Sequence, residues 1–499
     1  MPIPRLDSKA TYTRSILIVF SLLWLVAAFK MPVLPDEAYY WTWSKDLSFH
    51  YFDHPPLVAW VLASSISIFG DHLLGLRMAS LISIAISIGF TVSSTRLLLA
   101  DQSPRLRQRA DMLTVLTLFS APMFVIGFLP MTPDSIQGAF TAVAVYSTLR
   151  ALRSQLPGVW CGLAAFVFTT AIALKHYAVF IAMGAVIGLL RERDGRVRLT
   201  SRFSIMGLIM GLLLLSPWLF AEITQESSAL WQFRRAIYGR PNRGLVAVPL
   251  MFGSLLGTFG PANAIITLLV LFRSHRFPSL RWASGSLLFA CLVAVWAGSG
   301  EANWPISALV CLFPLVITFV LNRPKLYRTF CTVSVLCLVL NGFLLLHSAF
   351  VILDVPQLND PTRRGEGFDE IAKQANDMAR THSASPIVTD RYQFASLLRY
   401  HLKDEVEVLE WPSPRARKSQ FDLWNRPKVC PGQSIIWVSP VKKNPNWLFV
   451  DDFSPSKQRF IVDRAVERRK SLDRWYLTVG KLKSKALPMS NNCATENLQ

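Results

Sequence analysis

Long apolar blocks with almost no charge are the feature of this 499-residue sequence that most restricts its possible folds. Blocks such as 204–217 and 331–346 approach or reach the length needed to cross a bilayer. Between residues 1 and 352 there are 28 Lys or Arg and 14 Asp or Glu, and nearly all lie in short breaks between the blocks. Such breaks are loops, so the sequence predicts a multi-spanning α-helical membrane protein.

About eleven apolar runs are predicted to be transmembrane helices. The stretch 57–70 is too short to cross comfortably and is predicted to be an interfacial or re-entrant helix. The first run follows three basic residues, so a signal peptide is its alternative interpretation, although no clean cleavage site follows it. The predicted spans are 15–32, 75–99, 111–129, 135–152, 157–174, 177–190, 203–221, 246–272, 281–299, 304–321 and 329–351.

The charged breaks alternate in sign along the chain. Basic breaks such as 105–109, 191–198 and 323–328 are predicted to be cytoplasmic, because positively charged loops stay inside. The opposite breaks contain most of the acidic residues of this half of the chain. We therefore expect a cytoplasmic N-terminus and, with an odd number of spans, an external C-terminus. The net charge of +20 reports orientation first and argues little for a nucleic-acid partner.

The remainder of the chain has a different composition. It carries 24 Lys or Arg and 18 Asp or Glu in under a third of the length and has no run long enough to span. We predict a membrane domain over 1–352, with an outer catalytic loop at 33–74, and an external soluble α/β domain over 353–499. Cys430 and Cys493 could pair there in an oxidising compartment, which spacing alone does not decide.

The stretch PDEAYYWTWSKDLSFHYFDHPPLVAW, residues 35–60, follows the first span directly. It places Asp36, Glu37, Asp53 and His54 among aromatic residues. Such surroundings can retain a proton-accepting carboxylate in a partly dry site. The alternative is an ordinary solvated acidic loop.

Several short segments of the sequence resemble the bacterial dolichyl-phosphate-mannose mannosyltransferase-like family, which includes the lipid A aminoarabinose transferases. The words DEAYYW and YFDHPPLVAW resemble its first outer loop. In order along the chain, LPMTPDSIQGAF at 129–140, LKHYAVF at 174–180 and GEANWP at 300–305 resemble three further segments. The resemblance extends over nearly the whole chain.

This resemblance implies a GT-C fold and a glycosyltransferase of the bacterial inner membrane, with a periplasmic C-terminal domain. Such an enzyme moves a sugar from a polyprenyl-phosphate carrier to an envelope acceptor, with inversion. By matching position Asp36 is the candidate base, with Glu37 and Asp134 as further catalytic candidates. The candidate residues for binding donor phosphate or substrate are Asp53, His54, Lys175, Tyr177, Arg234, Arg235, Glu301, Asn303 and Trp304.

Some of these residues have ordinary structural alternatives. Lys175 lies at an outer span end, where it could simply snorkel to the interface. The arginines around 234–243 suit an anionic ligand or anionic lipid headgroups. His54 stands where the aminoarabinose transferases have Lys, so it brings less fixed charge to a phosphate.

Three other functions stay open at this stage. A transporter or flippase would also use many spans, and a non-catalytic lipid or glycan receptor and a protein O-mannosyltransferase are further alternatives. No residue identifies the sugar or the acceptor, although lipid A or another envelope glycolipid fits the resemblance. No metal-ligand pattern requires a cofactor, while the carboxylates leave a divalent cation possible.

Overall fold

The computed structural model describes residues 8–225, 227–238, 241–353, 355, 359–403, 405–411, 418–424, 433–440, 453–463 and 474–482. The chain divides into two compact units. The first comprises residues 1–29 and 48–349, and the second comprises residues 30–47 and 350–499. Asp36 thus belongs to the second unit. The membrane and soluble domains proposed for 1–352 and 353–499 remain predictions.

Helices make up the first part of the chain, and many begin at Pro. Proline suits the first position of a helix because it fixes φ and because its missing N–H would have no partner there. The helices are α1 (Ser8–Lys30), α2 (Pro35–Lys45), α3 (Leu57–Phe69), α4 (Leu73–Leu98), α5 (Pro104–Phe119), α6 (Pro133–Arg153), α7 (Pro157–Ala171), α8 (Ala178–Leu189), α9 (Gly195–Leu199), α10 (Arg202–Thr224), α11 (Ser228–Tyr238), α12 (Ala247–Phe259), α13 (Pro261–Arg273), α14 (Pro278–Trp296), α15 (Ile306–Leu321) and α16 (Pro324–Phe350).

Five of these helices are long and apolar enough to cross a membrane, namely α1, α4, α10, α14 and α16. The pair α12 and α13 would make a sixth, counted among the described residues. Shorter apolar helices include α3, α7, α8 and α15. Each predicted span therefore contains a helix, while the count of eleven membrane crossings stays a prediction.

The predicted span 246–272 is not one straight helix. Between its two helices, α12 and α13, the direction of the chain bends by 119°. Gly260 forms the break with φ of +81°, a conformation that L side chains rarely adopt, and a Cβ there would lie 2.7 Å from the carbonyl oxygen of Ser120. Hydropathy alone does not show this bend, because both helices are apolar; the Gly260-Pro261 pair marks the break.

Polar side chains join the helices of the first unit inside its core. Asn263 Nδ2 on α13 donates to the Thr117 carbonyl of α5 at 3.0 Å. Asn341 Nδ2 on α16 donates to the Phe119 carbonyl at 2.9 Å. Arg77, which is fully buried, donates to the Ala28 carbonyl near the end of α1 at 3.0 Å. Such bonds between helices hold an apolar bundle in one arrangement.

The second unit contains a mixed sheet. Strand β1 pairs in parallel with β2 and β3, and β5 pairs antiparallel with β3 and β4, which gives the order β2-β1-β3-β5-β4. Cys430 and Cys493 lie outside the described residues. The elements are α17 (Phe368–His382), β1 (Ile387–Thr389), α18 (Tyr392–Leu402), β2 (Val408–Glu410), β3 (Ser434–Ser439), β4 (Phe453–Asp463) and β5 (Arg474–Leu482).

Aromatic side chains fill the interior of this unit. The rings of Phe368 and Phe394 both meet Trp475 edge-on, with centroids 4.9 and 4.8 Å away. Helix α2 packs on α18, where the Tyr39 ring lies 4.6 Å from Tyr392. The Tyr39 hydroxyl also accepts a hydrogen bond of 2.6 Å from the Gln420 backbone N–H. The aromatic residues of the 35–60 stretch that lie on α2 thus form part of a folded core.

Candidate active site

Asp134 occupies the first turn of α6, and the local sequence explains its position. Thr132 has extended backbone angles at the N-cap, Pro133 begins the helix, and Asp134 follows it. A carboxylate is stabilised there by the partial positive charge of the helix N-terminus. Its side chain nevertheless lies in the interior, since Asp134 is only 3% exposed.

Three side chains donate hydrogen bonds to the Asp134 carboxylate. Lys175 Nζ lies 2.7 Å from Oδ1, and the Tyr177 hydroxyl lies 3.1 Å from the same oxygen. Asn303 Nδ2 lies 2.7 Å from Oδ2. These donors come from two turns that are far from Asp134 in sequence. The structure thus brings together four of the predicted site residues, which we call the Asp134 quartet: Asp134, Lys175, Tyr177 and Asn303.

Lys175 lies in the turn between α7 and α8 and is buried together with its partner. Its side chain is 5% exposed and that of Asp134 is 4% exposed. Nζ also lies over the Tyr177 ring, 5.2 Å from the centroid. The bond to Asp134 uses one of the three N–H donors of an ammonium group. Removing either charge would leave the other one buried without its partner, which is costly.

His54 lies near this cation in the loop before α3. Its buried setting lowers the pKa of His54 well below the ordinary value, and the Lys175 ammonium lowers it further. Burial also lowers the pKa of His176, to about 4, although the Glu222 carboxylate raises it in part. Both imidazoles are therefore neutral at neutral pH, and each retains one N–H donor.

Asp53 is buried and belongs to a contact with α11. Gln232 Nε2 lies 3.2 Å from Asp53 Oδ1 and 3.5 Å from the Phe52 carbonyl oxygen. The rings of Phe52 and Trp231 lie 4.5 Å apart. Helix α11 thus packs directly on the loop that carries Asp53 and His54, a contact that the sequence did not predict.

Glu222 in the last turn of α10 is a partly buried acid with several donors. Its Oε2 accepts from the Ser227 hydroxyl at 2.8 Å and from the Ala229 backbone N–H at 3.0 Å. Its Oε1 accepts from Trp218 Nε1 at 3.2 Å and from the Ser228 hydroxyl. Glu222 lies in one of the acidic breaks that the sequence predicts to be external, but no motif pointed to these partners.

Asp36 and Glu37 lie in the first turn of α2, in the second unit. Glu37 is fully buried, and its Oε2 accepts a hydrogen bond of 3.0 Å from the Leu34 backbone N–H just before the helix. This bond caps the helix start, which is a structural role. Asp36 is exposed.

The other predicted ligands lie on α11 and in the turn before α15. Arg234 is exposed on α11, and Arg235 lies over the Trp231 ring at 5.6 Å. Glu301 is exposed, and its carbonyl accepts from the Trp304 backbone N–H at 3.3 Å in the turn that also carries Asn303. Among the described residues, no group of three or more His, Cys, Asp or Glu side chains could hold a metal ion.

Comparison with known proteins shows what this chain is similar to. A family model described as dolichyl-phosphate-mannose-protein mannosyltransferase matches residues 53–220, about a third of the chain. This segment contains three members of the Asp134 quartet and also His54. The lipid A galacturonosyltransferase RgtD of Rhizobium johnstonii is 24% identical over 394 residues, which are 74% of this chain and 77% of the relative.

Solved structures show the same fold. ArnT from Cupriavidus metallidurans in the apo state has a TM-score of 0.63 and 15% identity, with 95% of this chain and 98% of that chain covered. The same protein bound to undecaprenyl phosphate has a TM-score of 0.64 and 15% identity, with 94% and 98% covered. The chain has an ArnT-like GT-C fold. It is a GT-C protein related to the glycosyltransferases that modify lipid A, which confirms the resemblance drawn from its sequence.

Proposed function

We propose that this protein transfers a sugar from a polyprenyl-phosphate carrier to lipid A or another envelope glycolipid at the periplasmic face of the inner membrane. The observation that carries the proposal is the Asp134 quartet with its buried Asp134 and Lys175, because most of it lies within the segment that matches the mannosyltransferase family model. The relative RgtD and the undecaprenyl phosphate bound to ArnT support the classes of acceptor and carrier.

The proposed reaction is a single displacement at the anomeric carbon of the donor. The acceptor hydroxyl oxygen forms a bond to that carbon while the bond from the carbon to the phosphate oxygen breaks. The polyprenyl phosphate leaves with the electron pair, and Asp36 takes the proton of the hydroxyl as general base. Attack opposite to the leaving group inverts the configuration of the sugar.

Lys175 and His54 are the proposed partners of the leaving phosphate. Lys175 has donors beyond the one that Asp134 uses, and its positive charge favours the developing negative charge. Neutral His54 supplies a hydrogen-bond donor. Asp134 holds the ammonium in place and, with Tyr177 and Asn303, shapes the pocket, while Arg234 and Arg235 attract anionic groups of the substrates.

A direct transfer assay tests the activity. Purified full-length protein in lipid nanodiscs would be supplied with lipid A and with undecaprenyl phosphate linked to galacturonic acid or to aminoarabinose. The expected result is a lipid A product heavier by one sugar residue with at least one of the two donors. Movement of the carrier lipid across a vesicle membrane without cleavage of the donor would instead support a flippase and overturn the proposal.

The role of Asp36 has its own test in the same assay. Asp36→Asn keeps the shape of the side chain but cannot accept the proton, and we expect at least about a hundredfold loss of kcat. Asp46→Asn, at another exposed position at the end of the same helix, is the matched control and should retain activity. Undiminished turnover by Asp36→Asn would exclude this residue as the base.

A further inference from the structure

Glu222 connects three elements of the first unit around its carboxylate. Trp218 belongs to the same helix, α10, whereas Ser227, Ser228 and the Ala229 backbone N–H form the start of α11. With one oxygen accepting from Ser227 and Ala229, the carboxylate caps the N-terminus of α11. It thereby fixes the direction in which α11 leaves α10.

His50 adds the third element to this cluster. Its Nε2 lies 3.5 Å from Glu222 Oε1, and the two side chains are 4% and 8% exposed. His50 belongs to the loop 48–54, which ends at Asp53 and His54. Glu222 therefore contacts the same loop that α11 touches through Trp231 and Gln232.

The cluster also reaches the turn that carries Lys175. The His176 ring lies 5.8 Å from the ring of Trp218, whose Nε1 donates to Glu222. The Leu57 backbone N–H, just after the loop 48–54, donates to the Ala173 carbonyl at 3.0 Å. The loop with His54 and the turn with Lys175 are thus joined to each other and to Glu222.

From these contacts we infer that Glu222 is a positioning residue for donor binding, which acts by seating α11 on the loop that carries Asp53 and His54. This inference rests on the proposed function for its kinetic consequence. Glu222 touches no reacting group in the proposed reaction. Its effect passes through Gln232, which holds Asp53, and through His50.

The structural part of the inference can be tested without any activity. Hydrogen–deuterium exchange of the full-length protein in nanodiscs would follow peptides that cover 228–238. In Glu222→Gln one carboxylate oxygen is replaced by an NH2 group, which cannot accept a hydrogen bond. We therefore expect the backbone N–H groups of α11 to exchange about tenfold faster. Glu192→Gln is the control, because Glu192 likewise accepts from a helix start, through the Ser279 N–H and hydroxyl, but far from α11 in sequence.

The kinetic part uses a double-mutant cycle with Gln232. We expect Glu222→Gln to lower kcat/KM for the carrier donor about tenfold and Gln232→Ala to lower it about fivefold. Both substitutions act through the same contact. The kcat/KM of the double variant should therefore fall about tenfold, and not by the fiftyfold product expected for independent effects.

The outcomes separate the two proposals. The positioning role would be overturned if α11 of Glu222→Gln exchanged at the wild-type rate. It would also be overturned if the double variant lost kcat/KM by the full fiftyfold product. A wild-type protein that transfers no sugar would overturn the proposed function, while faster exchange confined to α11 in Glu222→Gln would still support the seating of α11. Equal acceleration by Glu192→Gln would show a general loss of stability and contradict the inference.

Discussion

The molecule contains two helix starts with the same local sequence, Pro35-Asp36 in α2 and Pro133-Asp134 in α6. In both, Pro is the first residue of the helix and Asp lies in the first turn. Yet Asp36 is exposed, whereas Asp134 is 3% exposed and accepts hydrogen bonds from three side chains. A Pro-Asp pair therefore fixes the position of a carboxylate in the first turn of its helix. The burial and the partners of that carboxylate depend on the packing of distant segments.

This difference suggests different uses for the two acids. A base must exchange a proton with a substrate, so an exposed carboxylate suits Asp36. A buried carboxylate that accepts hydrogen bonds from an ammonium, a hydroxyl and an amide holds these partners in place, which suits Asp134. Four substitutions sharpen or break this comparison.

Asp134→Asn should have the largest effect. It leaves the Lys175 ammonium buried without its counter-charge, which costs about 3 to 5 kcal/mol for a buried pair. We expect a clearly lower thermal midpoint in detergent and a loss of transfer activity. Asp111→Asn is the control, since Asp111 pairs with Arg96 at 2.8 Å where the Arg side chain is 59% exposed, and such pairs contribute about 0 to 1 kcal/mol. Equal shifts in the two variants would contradict the distinction.

Asn303→Ala should have the next largest effect. It removes one donor to Asp134 and leaves the ion pair with Lys175, so about 1.5 to 3 kcal/mol is expected for a hydrogen bond to a charged group. We expect kcat/KM to fall about tenfold, measured in the transfer assay. Asn322→Ala is the control, because Asn322 Nδ2 donates to the Thr318 carbonyl at an exposed helix end outside the candidate site. An Asn303→Ala enzyme with wild-type kinetics would remove Asn303 from the site.

His176→Asn tests the neutral imidazoles beside the Asp134 quartet. The pKa of His176 is about 4 when folded and ordinary when unfolded, so the unfolded state takes up the proton first as the pH falls. The wild type should therefore lose stability between pH 6.5 and pH 4, by about 1 to 2 kcal/mol at pH 5. The variant should lose less. Thermal midpoints at pH 7 and pH 5 measure this, and parallel losses in both proteins would refute it.

Asp36→Asn should have the smallest effect on stability. Asp36 is exposed, and changes at exposed positions usually alter the unfolding free energy by less than about 0.5 kcal/mol. We expect a thermal midpoint close to that of the wild type together with the loss of turnover described above. A large drop in the midpoint would mean that Asp36, like Asp134, is needed for folding.

The candidate site was predictable only in part, and the reason differs between residues. Asp134, Lys175, Tyr177 and Asn303 were each found because short words around them resemble one family. Glu222, His50 and Gln232 were missed because none of them lies in a recognisable motif. Their role follows only from the contacts that the fold creates around them. Asp36 stays a prediction from the sequence, and Glu37 proves to cap its own helix.

The sequence by itself determined the helical character of residues 8–350, the start of many helices at Pro and the positions of the two Pro-Asp carboxylates. These properties depend on local backbone preference and on apolar content, which can be read within a few residues. Only the tertiary structure decided how sharply the run 246–272 bends at Gly260, that the segment 30–47 folds with the carboxyl-terminal unit, and that Asp134 is buried against Lys175. These depend on packing between residues far apart in the chain, for which no local pattern carries a signal.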